Sequence, residues 1–180
     1  MMKNLMIALA LMLACNGLAQ AQTTDSIATQ AETTENATSQ LQNEFWGCTL
    51  GVTTKDEMTK KLESRKLSTS DYEGNIIVES PALNGFKYDY ALATFADGKF
   101  DKVTYVESGL SKDDALVFSK AIYGTLAEKQ TMIKTVVDGI DCYFTSVAGV
   151  TCTITTTFVD TENYYVVALT YETGTAKLTK

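Results

Sequence analysis

The sequence predicts an α+β domain in which two helices packed on one face of an antiparallel sheet form an internal tandem repeat of helix plus meander. Three observations carry this expectation. A helix-start signature, Thr54-Lys55-Asp56-Glu57, is echoed at Ser111-Lys112-Asp113-Asp114. Thr94-Phe95-Ala96-Asp97 recurs as Thr157-Phe158-Val159-Asp160, and Val103-Thr104-Tyr105 recurs loosely as Leu169-Thr170-Tyr171, each in the same order after its own helix start. The intervening runs alternate apolar with polar residues and are separated by turn signals such as Asp97-Gly98, Asp138-Gly139 and Ala148-Gly149. The repeat units fall at about 50–108 and 109–172.

The first stretch lies outside that domain. Lys3 precedes an apolar run from Leu5 to Ala14, too short to span a bilayer, and Ala19-Gln20-Ala21 fits the small-x-small rule for cleavage. Residues 1–21 therefore read as a signal peptide, and the mature chain is expected in the periplasm or outside the cell. A second processing route is open, because Leu11-Met12-Leu13-Ala14-Cys15 is similar to a bacterial lipobox; lipidation at Cys15 would make an outer-membrane-anchored lipoprotein. Residues 22–43 mix Thr, Ser, Gln, Ala and Glu with little apolar content, which cannot offset the entropy of ordering, and read as a disordered tether. Asp25-Ser26-Ile27 resembles an Asp-Ser/Thr-apolar O-glycosylation motif, and Asn36-Ala37-Thr38 is a formal N-x-T triplet. A single domain is expected over residues 44–180, with no transmembrane segment.

Composition excludes several classes of function. The 180-residue chain carries a formal charge of -7, and removing residues 1–21 takes away one Lys and no acid, leaving -7 - 1 = -8. Nucleic acid and anionic membrane surfaces need a basic face, so neither is an expected partner. His is absent, which removes Ser-His and Cys-His nucleophile pairs, His-based zinc sites and the commonest general base. Arg65 is the lone arginine, too few for a phosphate-binding cluster. An enzyme would have to work with carboxylates or lysines alone. The expectation is no enzyme, no cofactor and no metal.

Order is expected to begin at Phe45-Trp46-Gly47-Cys48-Thr49-Leu50-Gly51, with Trp46 as a core anchor and Cys48 as a small apolar core residue. Thr54 then caps a short helix ending near Lys66, with Glu57 reaching back as the last member of a capping box and Met58 above Leu62 on the buried side. Asn75 to Glu79 is a strand of β-branched residues, stopped by Ser80-Pro81. Phe86 to Phe95 and Phe100 to Glu107 form a hairpin, and alternation puts Phe86, Tyr88, Tyr90 and Leu92 on one face opposite Val103 and Tyr105. A second helix, capped by Ser111, carries Ala115, Phe118, Ile122 and Leu126 at helical spacing and runs to about Lys129. Four strands follow: Met132 to Val137, Ile140 to Thr145, Val150 to Val159 and Tyr164 to Glu172.

Within that second meander, Cys142 and Cys152 sit on adjacent strands. Alternation with Ile140, Phe144, Val150 and Ile154 puts both on the inward side, which makes a cross-strand disulfide an option in an oxidising compartment; buried thiols are the other. Acid pairs at Asp97/Asp101, Asp138/Asp141 and Asp160/Glu162 match no known calcium loop, and turns collect Asp for backbone reasons. If Cys152, Ile154 and Phe158 point inward, then Thr151, Thr153, Thr155 and Thr157 line the outward side, with Tyr143, Tyr164, Val166, Ala168 and Thr170 as neighbours. Threonine there serves solubility. Tyrosine offers a large amphipathic contact at low entropy cost, so Tyr143, Thr153, Thr155, Thr157, Tyr164 and Val166 form the expected binding face.

Leu50-Gly51-Val52-Thr53-Thr54-Lys55-Asp56-Glu57-Met58, followed by Leu62, resembles the helix entry of the small outer-membrane-assembly lipoproteins and the β-lactamase-inhibitor-like proteins. The same opening, with Phe45, Gly47, Ala121-Ile122-Tyr123-Gly124 and Ala168-Leu169-Thr170-Tyr171, is similar to uncharacterised exported proteins of Bacteroidetes. The resemblance implies tandem units of helix plus antiparallel sheet. Inhibitor or assembly function is not carried over. The expected function is that of an exported cell-envelope protein, a non-enzymatic module that binds another envelope protein or a peptide through the outward sheet face. The alternative is a carboxylate-based glycan-binding protein or hydrolase.

Overall fold

The computed structural model describes residues 40–137 and 139–174. Cys15, the leader at 1–21, most of the 22–43 tether and Asp138 lie outside the described residues. In chain order, a small hairpin of β1 (Glu44–Phe45) and β2 (Cys48–Thr49) leads into helix α1 (Lys55–Ser64). Then come β3 (Thr69–Tyr72), β4 (Asn75–Glu79), a second small hairpin of β5 (Ala82–Leu83) and β6 (Phe86–Lys87), β7 (Tyr90–Ala96) and β8 (Lys99–Leu110). Helix α2 (Lys112–Ala127) opens the second half, followed by β9 (Ile133–Val137), β10 (Ile140–Val147), β11 (Val150–Val159) and β12 (Tyr164–Thr173). The result is mostly antiparallel sheet with two helices.

Both helices start where hydroxyl and acid were placed to start them. The Thr54 hydroxyl accepts from the Glu57 N–H while the Glu57 carboxylate accepts from the Thr54 N–H at 2.9 Å, so the reciprocal cap is complete. Those bonds hold the Glu57 carboxyl below its ordinary range. The Ser111 hydroxyl accepts from the Asp114 N–H at 3.2 Å at the head of α2. Met58 and Leu62 are buried on α1, and Ala115, Ser119, Ile122 and Leu126 on α2.

The eight main strands form one sheet in the order β3-β4-β7-β8-β12-β11-β10-β9. The first meander thus runs inward to β8, the second runs inward to β12, and these two last strands pair at the centre. Hairpins close with one recurring device. Trp46-Gly47, Glu73-Gly74, Asn84-Gly85, Asp97-Gly98 and Ala148-Gly149 all have positive φ at both positions, the two-residue turn whose twist matches that of paired strands. Glycine at the second position carries that angle without a Cβ penalty.

One large buried cluster unites Met58, Leu62, Ala115, Ile122 and Leu126 of the helices with Ile76, Val78, Ala91, Val103, Tyr105, Cys152, Ile154, Leu169 and Tyr171 of the sheet. Cross-strand pairing places those strand residues on a common face, the first face. Phe45 packs among Phe100, Tyr105 and Tyr171, and Trp46 lies against Tyr105, so the hairpin β1–β2 plugs this core. Leu41 is only 4% exposed and belongs to the same cluster, so packed chain begins inside the segment read as tether.

A second, smaller cluster contains Ile77, Tyr90, Leu92, Val106, Val159 and Val166, with Tyr72 and Tyr164 against it. Here the expected alternation is corrected. Tyr90 and Leu92 pair with Val106 and Thr104, on the opposite side of the sheet from Val103 and Tyr105, whereas Phe86 and Tyr88 belong to the large core. The run from Phe86 to Phe95 is no continuous strand. Tyr88-Asp89 separate β6 from β7, and the change of direction there resets the phase of the alternation.

Candidate functional site

Register decides which side chains share the second face. Across β11 and β12 the pairs Thr153/Thr170, Thr155/Ala168, Thr157/Val166 and Val159/Tyr164 alternate with Cys152/Tyr171 and Ile154/Leu169 of the core face. Thr153, Thr155, Thr157, Tyr164 and Val166 therefore stand together, as expected. Further pairing adds Thr104, Val106, Tyr90, Leu92 and Ile77 to the same surface. It has two zones. An apolar, tyrosine-edged zone lies over β4, β7 and β8, and a threonine band lies over β11, where Thr153, Thr155 and Thr157 are half-buried and Val166 is buried.

Two tyrosines mark the apolar zone. Tyr164 is half-buried beside Tyr90, and burial, then the nearby Glu162 and Asp89 charges, raises its phenol pKa. The Tyr90 hydroxyl is buried with no hydrogen-bond partner among the described residues, a polar group held within an apolar cluster.

Tyr143 does not belong to this surface, which corrects the expectation. Ala148-Gly149 is a two-residue turn that pairs Val147 with Val150, and counting back sets Tyr143 opposite Ile154 on the core face. There its ring stacks on Tyr123 of α2, with centroids 4.3 Å apart and planes at 26°. The same count corrects the cysteines. Cys142, next to Tyr143, points to the second face while Cys152 lies in the core, so the sulfurs are on opposite sides of the sheet and no disulfide joins them. The turn itself was the signal that settles this parity. Burial pushes the Cys152 thiol up to about 12, which suits a structural thiol rather than a nucleophile.

The acids are dispersed. Asp97 lies in the β7–β8 turn, and Asp101 accepts from the Thr173 hydroxyl. Asp141 is paired with Lys134 at 2.8 Å. Asp160 and Glu162 belong to the β11–β12 turn, at the start of a strand antiparallel to β8, and so at the opposite end of the sheet from Asp97. Sequence reading missed one carboxylate neighbourhood. Asp89 accepts from the Ser108 N–H at 2.9 Å and hydroxyl at 2.6 Å, and Glu107 beside it has its carboxyl pKa raised by burial and then by the Asp89 charge. Continuing the β7–β8 register one residue past Tyr90 and Val106 sets Asp89 beside Glu107, before the bulge in β8 at Gly109 (φ 71). An open depression of ≈ 420 Å³ lies at the end of α2, lined by Tyr123, Glu128 and Met132 among others; Glu128 is the only carboxylate in its lining, so it offers no acid–base pair.

Among the described residues no helix is long and apolar enough to cross a membrane. No family model, curated protein or solved structure matches the chain.

Proposed function

We propose that this chain is an exported cell-envelope protein, a non-enzymatic module that binds another envelope protein or a peptide through the second sheet face. The observation that carries the reading is the shared register of Thr153, Thr155, Thr157, Tyr164 and Val166 with the apolar zone around Tyr90 and Val106. The apolar residues of this face, Tyr90, Leu92, Val106 and Val166 among them, are themselves buried, so what it offers a partner is the half-buried Tyr164 and the threonine band, amphipathic and hydroxyl groups suited to protein recognition. Signal-peptide cleavage after Ala21 brings the domain to the periplasm or the exterior, and lipidation at Cys15 would instead hold it at the outer membrane.

The fold is proposed to arise by duplication of one helix-plus-meander unit, with both helices against the first face. The inward-running order of the two meanders supports this, as does the presence of buried residues from both helices in one cluster. With the helices on that side, the half-buried threonine band and Tyr164 of the other are the groups left to meet a partner. The test is affinity capture from envelope extracts with the chain beginning at Gln22, followed by identification of partners in proportion to bait. Wild type is expected to enrich one partner that Tyr164→Asp and Thr155→Arg both lose while keeping the wild-type unfolding temperature. Equal enrichment by all three proteins would reject the second face.

A further inference from the structure

The outer edges of the sheet occupy equivalent places, each being the first strand of its meander, yet they differ in chemistry. On β3, Thr69, Ser70 and Asp71 are exposed, and Asp71 is tied to Lys55 at 2.7 Å, a polar edge that discourages further pairing. On β9, Ile133, Val136 and Val137 are 53%, 59% and 43% exposed. Its charge, Lys134, is drawn to Asp141 on the inner neighbour β10. Among the described residues no strand lies beyond β9, so alternate N–H and C=O groups of an apolar, electrically compensated edge face outward.

We propose that β9 is a self-pairing edge, on which a second copy of this chain docks antiparallel about a two-fold axis at Thr135. The strand complements itself in that register. Ile133 meets Val137 of the other copy on one face, Lys134 meets Val136 on the other face, and Thr135 meets its own equivalent. The exposed apolar side chains cover one another, the Lys134 stem lies over a valine, and no two like charges stand directly opposite. The Lys134–Asp141 pair leaves this strip without a net charge, so the self-repulsion of a chain of formal charge -7 is not concentrated there. An isologous contact of this kind closes at two copies. Five paired residues per copy fall below the roughly 1,200 Å² of a standard interface, so the dimer is weak.

Sedimentation velocity on the protein as its host processes it, from micromolar concentrations up to about 1 mM, tests this. A dimer fraction that grows with concentration is expected. Ile133→Lys and Val136→Lys, both at exposed positions, are each expected to weaken dimerisation at least about tenfold with an unchanged unfolding temperature, while Thr69→Lys on the other edge leaves it alone. A monomer throughout the range, or a dimer equally tight in the β9 variants, would overturn the proposal, as would loss of the dimer with Thr69→Lys.

Discussion

Thr104 and Thr170 face each other across the centre of the sheet with their hydroxyl oxygens 3.2 Å apart, and the pairing on either side is symmetric, Val103 with Tyr171 and Tyr105 with Leu169. These are the residues that the proposed duplication would relate, Val103-Thr104-Tyr105 with Leu169-Thr170-Tyr171. The dyad of the proposed duplication would run between the two hydroxyls. Thr104→Val or Thr170→Val keeps the shape and strand preference but strips one hydroxyl of its partner, and each should cost about 1 kcal/mol in denaturant unfolding. The double variant is expected to cost less than the sum of the single changes. Additive losses would mean that the hydroxyls do not interact.

The two faces differ in what they contribute to folding. Leu169 is fully buried in the large core, and Leu169→Ala should destabilise by about 2–5 kcal/mol. Thr155, half-buried on the second face, should tolerate Ala within about 0.5 kcal/mol. Comparable losses at both positions would place Thr155 inside a core.

Thr54→Ala should cost about 1 kcal/mol by removing the side-chain half of the reciprocal cap. The Glu57 half of the cap should depend on pH. The Thr54 bonds hold Glu57 below its ordinary 4.5 in the folded chain, so the unfolded chain binds a proton more readily. The cap's contribution is therefore present above pH 4.5 and is lost as pH falls through the lower folded value. Urea titrations of Glu57→Gln, which removes the ionisable half, should show its deficit shrinking on acidification through this window; a constant deficit would contradict the ionic half of the cap.

Cys152 should resist alkylation in the native protein at about pH 8 and react once the chain is unfolded. Its thiol has an ordinary value of 9.0 and is pushed up to about 12 by burial, so the fold binds that proton more tightly than the unfolded chain does. The associated stability is complete below pH 9 and is lost as pH rises toward 12. Modification of Cys152 without unfolding, read by peptide mass, would contradict its place in the core.

The second half of the fold was legible because its strands alternate cleanly and its turns announce themselves; β9 to β12 begin and end close to where periodicity put them. The first half was less so. Thr69–Tyr72 has no aliphatic residue to reveal an edge strand, and the break at Tyr88-Asp89 divides the alternating run from Phe86 to Phe95. Of the expected binding face, Tyr143 stands on the core side instead, and Cys142 on the other, because Ile140 and Phe144, which set the alternation, are not in phase with Cys152 and Ile154. Parity counted from Ala148-Gly149 contradicts an inward cysteine pair. The proximity of Glu107 to Asp89 follows from the Tyr90 and Val106 register, which an alternation run unbroken from Phe86 to Phe95 hides.

The account rests most heavily on β8 and β12 being neighbours at the centre of the sheet, since that register assigns every residue to its face. Cross-strand proton contacts measured by NMR test it directly. The account predicts close contacts between Thr104 and Thr170, between Val103 and Tyr171, and between Tyr105 and Leu169. Contacts in a register displaced by one residue, or β12 paired with a strand other than β8 and β11, would contradict it.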